Sequence, residues 1–162
     1  DAATARIAKA AKVAHGTLFT YFPTKEALFN ALYVDIKEEI AAHMLDGYAK
    51  KETPRDRLHH LWHNYVAWGT QAQAKRRTMA QLSVSSVVTE AARTSASDLT
   101  NTVGQVFAAC IDPATNQTPA FVAGAMTALA EVTMGFMLQP GADPKAMAEM
   151  GFEAFWRSIG GH

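Results

Sequence analysis

The sequence predicts an all-α protein, a short helix-turn-helix followed by a larger helical body. Gly and Pro fall almost only at breaks between apolar segments, where chain punctuation belongs. No segment alternates apolar and polar residues as a half-buried strand does. Helix starts recur in one form, since Thr53-Pro54, Thr118-Pro119 and Asp143-Pro144 each set a capping side chain before Pro. Pro suits the first helical position, whose N–H has no partner inside the helix. A chain of 162 residues suits one core-bearing unit plus a small appended head.

The first element opens at Thr4, a good N-cap. Ile7, Ala8 and Ala11 follow at helical spacing, with Arg6, Lys9 and Lys12 facing out. The pattern breaks at Lys12-Val13-Ala14, the length of a tight turn. A second short helix, about Ala14 to Tyr21, begins with His15, Gly16 and Thr17 and continues into Leu18 and Phe19. Pro23 ends it, and Thr24 caps the next helix at Lys25-Glu26. Two short helices joined by such a turn form a helix-turn-helix, whose second helix enters the DNA major groove by its N-terminal residues.

The segment I-A-x-x-A-x-V-x-x-G-T-L-F-x-Y-F-x-T-K-E-A-L closely resembles the DNA-binding motif of the TetR family of transcriptional repressors. Gly16 and Thr17, the Tyr21-Phe22 pair and Lys25 match positions of that motif. Lys12 stands where the family usually has Gly, Ala14 where it has Ser, and Phe19 where Tyr is frequent. Ala14 and Phe19 each remove a hydroxyl, so the phosphate contacts differ from the common set. The motif covers about 25 of the 162 residues. The resemblance implies DNA contacts from Thr4, His15, Gly16, Thr17, Tyr21 and Lys25, with Phe22 packing the head. It implies a head over residues 1–30 that lacks its first helix, so roughly 20 further residues are expected ahead of Asp1. It also implies an effector-binding and dimerisation body over residues 31–162.

Overall charge is zero, which by itself argues against a nucleic-acid binder. The head differs: Arg6, Lys9, Lys12 and Lys25 outweigh Asp1, a local net of +3. A basic head on a neutral body fits an operator-binding dimer better than a general polyanion binder. Cys110 is the one cysteine, so no intrachain disulfide forms and a cytoplasmic location is expected. No apolar run reaches about 18 residues and no signal-peptide pattern appears, so no membrane partner is expected.

The body reads as helices over Lys25 to about Lys50, Pro54 to Ala72, Lys75 to about Ser86, Val88 to Ile111, Pro119 to Leu138 and Pro144 to Ile159. On the last two, Val122, Met126, Leu129, Thr133 and Phe136 form one stripe and Gly124, Ala128 and Gly135 a second. Met147, Met150, Ala154 and Phe155 form another, opposite Phe152, Trp156 and Ile159. Helices apolar on two faces are buried on two sides, either within a monomer core or at an interface. The resemblance implies a four-helix homodimer interface, with Val122, Met126, Leu129, Phe136, Met147 and Phe155 as candidate contacts. A two-fold dimer is what paired heads need to read two half-sites.

The middle helices carry the candidate pocket. Leu58, Leu61, Trp62, Tyr65 and Val66 share one broad face with Trp68 beside it, and Met79, Leu82, Phe107, Cys110 and Met134 are candidate opposing walls. An aromatic stripe at this spacing also reads as ordinary core. The resemblance implies an effector here whose binding moves the heads apart. Trp62, Tyr65, Met79, Leu82, Phe107, Cys110 and Met134 are the expected ligand contacts, and few charges nearby suggest an apolar or aromatic compound.

His59 and His63 stand i, i+4, with His60 adjacent, but Asp56 and Glu52 are the closest acids and no ligand pattern completes a site. They read as surface histidines, and neither metal nor cofactor is expected. Arg76-Arg77 read as a solvated helix start. Paired carboxylates, G-x-S-x-G, a P-loop and a Cys-His signature are all missing from the sequence. A ligand-responsive DNA-binding regulator, usually a repressor released by its effector, is therefore preferred. An all-α small-molecule enzyme and an interaction module without DNA binding are the alternatives.

Overall fold

A computed structural model describes residues 20–48, 53–112 and 115–160. Thr4, His15, Gly16 and Thr17 lie outside the described residues. Seven helices follow Tyr21 among the described residues, and no strand. They are α1 (Lys25–Leu45), α2 (Pro54–Gln71), α3 (Gln73–Ser83), α4 (Glu90–Leu99), α5 (Asn101–Cys110), α6 (Pro119–Met137) and α7 (Pro144–Ser158).

The starts are set by side chains that accept the first free amides. Thr24 takes Ala27 N at 3.0 Å, Thr53 takes Asp56 N at 3.1 Å and Thr118 takes Phe121 N at 3.2 Å. Asp143 takes both Lys145 N and Ala146 N. Pro54, Pro119 and Pro144 occupy the first turns, as their sequence predicts. The ends have equally local causes. α1 stops at Asp46, before Gly47 at φ 63°, a conformation glycine adopts without strain. The Asp46 carbonyl is then bound by His60 Nε2 and Asn64 Nδ2 of α2, each at 2.9 Å.

Residues 88–111 form two helices instead of the single one expected. Thr89, not Val88, provides the cap by accepting from Ala92 N. Thr94, Ser95, Ser97 and Asp98 then bring short polar side chains that compete for the backbone. Thr100 bonds back to Ala96 O at 2.9 Å, and the chain turns there. α3 also ends early, at Ser83. Arg93 donates to Ser83 O and Ser85 O, taking carbonyls that a longer helix would use.

α2 is the central helix, buried at Leu58, Leu61, Trp62, Tyr65, Val66, Trp68 and Gly69 along one broad face. It packs against α1, α5, α6 and α7. The antiparallel pair α6 and α7 makes the most extensive contact in the molecule. α1 runs for about 30 Å and serves two clusters. Leu28 packs with Phe22 and Phe29 at its start, apart from the main core. Tyr33, Ile36, Ala41 and Met44 join the main core farther along. By length and composition alone α6 is apolar enough to cross a membrane, with a mean hydropathy of 1.5. In the fold one of its faces lies in the core: Val122, Met126, Ala130, Thr133 and Met134 are buried.

Candidate ligand cavity

The broad aromatic face expected to line a pocket divides in two. Trp62 is fully buried on the side facing α7. Its indole N–H donates to Ala148 O at 2.9 Å, and its ring stacks on Phe155 at 5.7 Å and 9°. Tyr65 and Trp68 stack on each other at 6.0 Å and line a cavity of about 380 Å³. That volume falls in the range of small-molecule sites. Walls come from α1 to α6, with Met44, Met79, Phe107 and Met126 among the apolar contributors.

Of the expected contacts, Tyr65, Met79 and Phe107 line this cavity. Trp62, Leu82, Cys110 and Met134 do not, and are corrected to core. Leu82 and Met134 are buried, Met134 close over Gly69. Cys110 is half-buried, and burial raises its thiol pKa against the opposing influence of Arg57. It is held as an inert thiol.

The expectation of an apolar pocket with few charges is also corrected. Lys37, Arg76 and Glu131 are in the lining, two cations against one carboxylate. Arg76 is no solvated helix start. Its guanidinium is largely covered, its Nη1 stands 3.7 Å from Glu131 Oε2, and its Nε and Nη1 are buried without hydrogen-bond partners. Such groups are costly to leave unmet. Lys37 makes no ion pair among the described residues, and burial lowers its pKa, helped by Arg93. The Tyr65 hydroxyl is pushed up to about 12 by burial and by Glu131, against Arg76 and Thr127, so it stays a neutral donor. The signal for Arg76 was its place three residues before Met79 on one helix face, overridden by its charge.

The other expected face is exposed, but its membership differs. Val122, Met126 and Phe155 are buried in the monomer core, because α6 and α7 turn those stripes toward α2. Val122 and Phe155 are corrected from interface to core, and Met126 to the cavity wall. Leu129 and Met147 are half-buried. Of the expected contacts Phe136 is exposed, at 51%, and beside it are Phe121 at 60%, Val132 at 58% and Met150 at 61%. Gly124, Ala128 and Gly135 are exposed beside them. A Cβ at Gly124 or Gly135 would meet nothing within 4 Å, so this face admits a close neighbour.

At the start of α1, Tyr21 is 76% exposed and Lys25 is exposed with its ammonium 5.2 Å from the Phe29 ring. Asn30 links this end of α1 to the cavity walls. It donates to Val87 O at 3.1 Å, and its Oδ1 accepts from Thr89 N at 2.8 Å, directly before α4. His59 and His63 meet a carboxylate that lies far off in sequence, Glu149 of α7.

Residues 1–32 match the family described as "Bacterial regulatory proteins, tetR family". The whole fold is similar to two solved structures. One is a protein assigned to the TetR family of transcription regulators from Shewanella sp. PV-4, at 21% identity and a TM-score of 0.75, covering 96% of this chain and 86% of that one. The other is a TetR family transcription regulator from Marinobacter aquaeolei VT8, at 20% identity and a TM-score of 0.77, covering 96% and 83%. The first 32 residues are thus similar to the TetR-family segment, and the fold is that of the two TetR-family structures.

Proposed function

We propose that this chain is a TetR-family regulator, a homodimeric repressor that leaves its operator when a small amphipathic anion fills the cavity. The observation that carries this reading is the position of α1. Lys37, Ile40, Ala41 and Met44 of this helix line the cavity, while its first turn carries Lys25 and packs on Phe22. Residues 1–30 act as the DNA-binding head and residues 31–162 as the effector-binding and dimerisation body. The head contacts are Thr4, His15, Gly16, Thr17, Tyr21 and Lys25.

The lining explains the choice of effector. Met44, Met79, Phe107 and Met126 supply an adaptable apolar bed. Lys37 and Arg76 exceed Glu131 by one charge, so a ligand with one acidic group completes the balance. Operator release follows from a population shift. The dimer samples head spacings, and one matches half-sites roughly 34–36 Å apart. An effector that prefers another spacing weakens DNA binding by the ratio of its affinities for the two states. The Asn30 clamp conveys movement of α4 to the head end of α1. The dimer forms through the exposed face of Phe121, Val132, Phe136 and Met150, packed against its two-fold copy. The working environment is the cytoplasm.

The test is operator binding by the full-length protein, with a duplex selected from random DNA and followed by fluorescence anisotropy. The expected result is a dimer per duplex with a steep salt dependence. Lys25→Ala should weaken all sequences about equally and lower the salt slope by about one per head. Failure of the full-length protein to select any sequence would overturn the regulator reading.

A further inference from the structure

We propose that His59, His63 and Glu149 form a binding site for a divalent transition ion of the zinc class, pinning α7 to α2. The site lies on the outer side of the contact between these helices, away from the cavity. His59 and His63 share one face of α2, one turn apart, with ring centroids 4.2 Å apart. Glu149 reaches them from α7, ninety residues from His59 in the chain. One carboxylate oxygen is 3.3 Å from His59 Nε2 and the other is 3.2 Å from His63 Nε2. The donor atoms all lie within 4.8 Å of one another.

The two His–Glu149 separations suit a metal. A tetrahedral ion held at about 2.0–2.2 Å from nitrogen and oxygen donors keeps them roughly 3.3–3.5 Å apart. One polar atom here is unmet: His63 Nε2 is buried and has no hydrogen-bond partner, despite its approach to Glu149. An ion between the three donors takes that lone pair. Two imidazoles and one carboxylate favour zinc and its neighbours over magnesium or calcium, which take oxygen donors. All three side chains are half-exposed, so a fourth position remains open to water. His60 is not a ligand, because its Nε2 is held by the Asp46 carbonyl at 2.9 Å. The edge of Phe152, 4.7 Å from the His59 ring centroid, backs the site on its inner side.

The experiment uses tag-free protein stripped with chelator and titrated with ZnCl2 by calorimetry and with CoCl2 by visible absorption. The expected result is one equivalent per chain, tetrahedral cobalt bands and a zinc-dependent rise in melting temperature. Glu149→Gln and His63→Gln should each weaken zinc by at least about ten-fold and remove the melting shift, while His60→Gln keeps both. Glu149→Gln keeps shape and sits at the surface, so it reads the site even if His63→Gln folds poorly. Absence of cobalt bands in the wild type, or zinc affinity unchanged in Glu149→Gln, would overturn the assignment.

Discussion

The two sides of α2 carry the same kind of residue and do opposite things. Toward α7, Trp62 is enclosed by Phe152, Phe155 and the Ala148 carbonyl. Arg55 extends that packing outward, its guanidinium 5.3 Å from the Phe152 ring and 5.7 Å from that of Trp156. Toward α1 and α3, Tyr65 and Trp68 stack only on each other before open space begins. Trp68 is tied there by its N–H to Glu39 at 2.9 Å, and Lys75 pairs with the same carboxylate. Ring count therefore does not distinguish core from pocket. What distinguishes them is whether the facing helices arrive with packed rings or with flexible and charged side chains set beside a single ring, Phe107. α7 brings Phe152 and Phe155, whereas α3 and α6 bring Met79, Arg76 and Glu131.

The sharpest way to break this contrast is Trp62→Ala. It removes a fully buried ring and its N–H bond to the Ala148 carbonyl, so stability should fall by about 4 kcal/mol. Urea denaturation followed by circular dichroism reads it, and a loss below about 1 kcal/mol would mean that the α2–α7 contact is not close-packed. A finer test uses glycines on the two sides. A Cβ on Gly151 would stand 2.2 Å from Thr133 Oγ1 and 2.7 Å from Trp62 Cζ2. Those neighbours are fixed, so Gly151→Ala should cost about 2 kcal/mol net of its helix-propensity gain. On Gly69 the nearest atoms are Sδ and Cε of Met134, a more yielding side chain. Gly69→Ala should cost less, within about 1 kcal/mol of wild type. Equal costs would erase the difference between the two sides.

Asn30→Ala probes the connection from the cavity to the head. It strips partners from Val87 O and Thr89 N and should cost about 1–2 kcal/mol in stability. Its larger signature is functional. Effector affinity should stay near wild type while effector-driven release from DNA declines, as titrations with and without operator duplex would reveal. Release that remains complete would remove Asn30 from the coupling route.

The helices were legible in the sequence because their starts are local chemistry. Thr24, Thr53, Thr118 and Asp143 each cap the helix that the sequence assigns to them. The break at Thr100 was not, because apolar spacing continues across it and only the cluster of short polar residues hints at a turn. Site membership was legible in part. Tyr65, Met79 and Phe107 line the cavity, while Trp62 on the same helix does not. Periodicity gives the face of a helix but not the identity of what packs there. Val122 and Phe155 went to the core and Met126 to the cavity wall for the same reason, leaving Phe121, Val132 and Met150 outside. Arg76 was hidden by its charge, since a guanidinium in an amphipathic helix reads as solvated until a neighbouring helix covers it. Glu149 was hidden by distance along the chain.

The proposed cavity chemistry is tested most directly by two probes with one body and different charge. 1-Anilinonaphthalene-8-sulfonate is an aromatic anion, and N-phenyl-1-naphthylamine is nearly the same molecule without the sulfonate. Fluorescence titration of each, on wild type and on Arg76→Met, isolates the contribution of the positive lining. Arg76→Met keeps a similar volume and removes buried N–H groups that lack partners, so its stability should match or slightly exceed wild type. The predicted result is that the anion binds wild type at least about ten-fold more tightly, a difference of roughly 1.4 kcal/mol, and that Arg76→Met abolishes most of this preference. Equal affinity for both probes in the wild type, or an anion preference untouched in Arg76→Met, would contradict an effector held by its acidic group in this cavity.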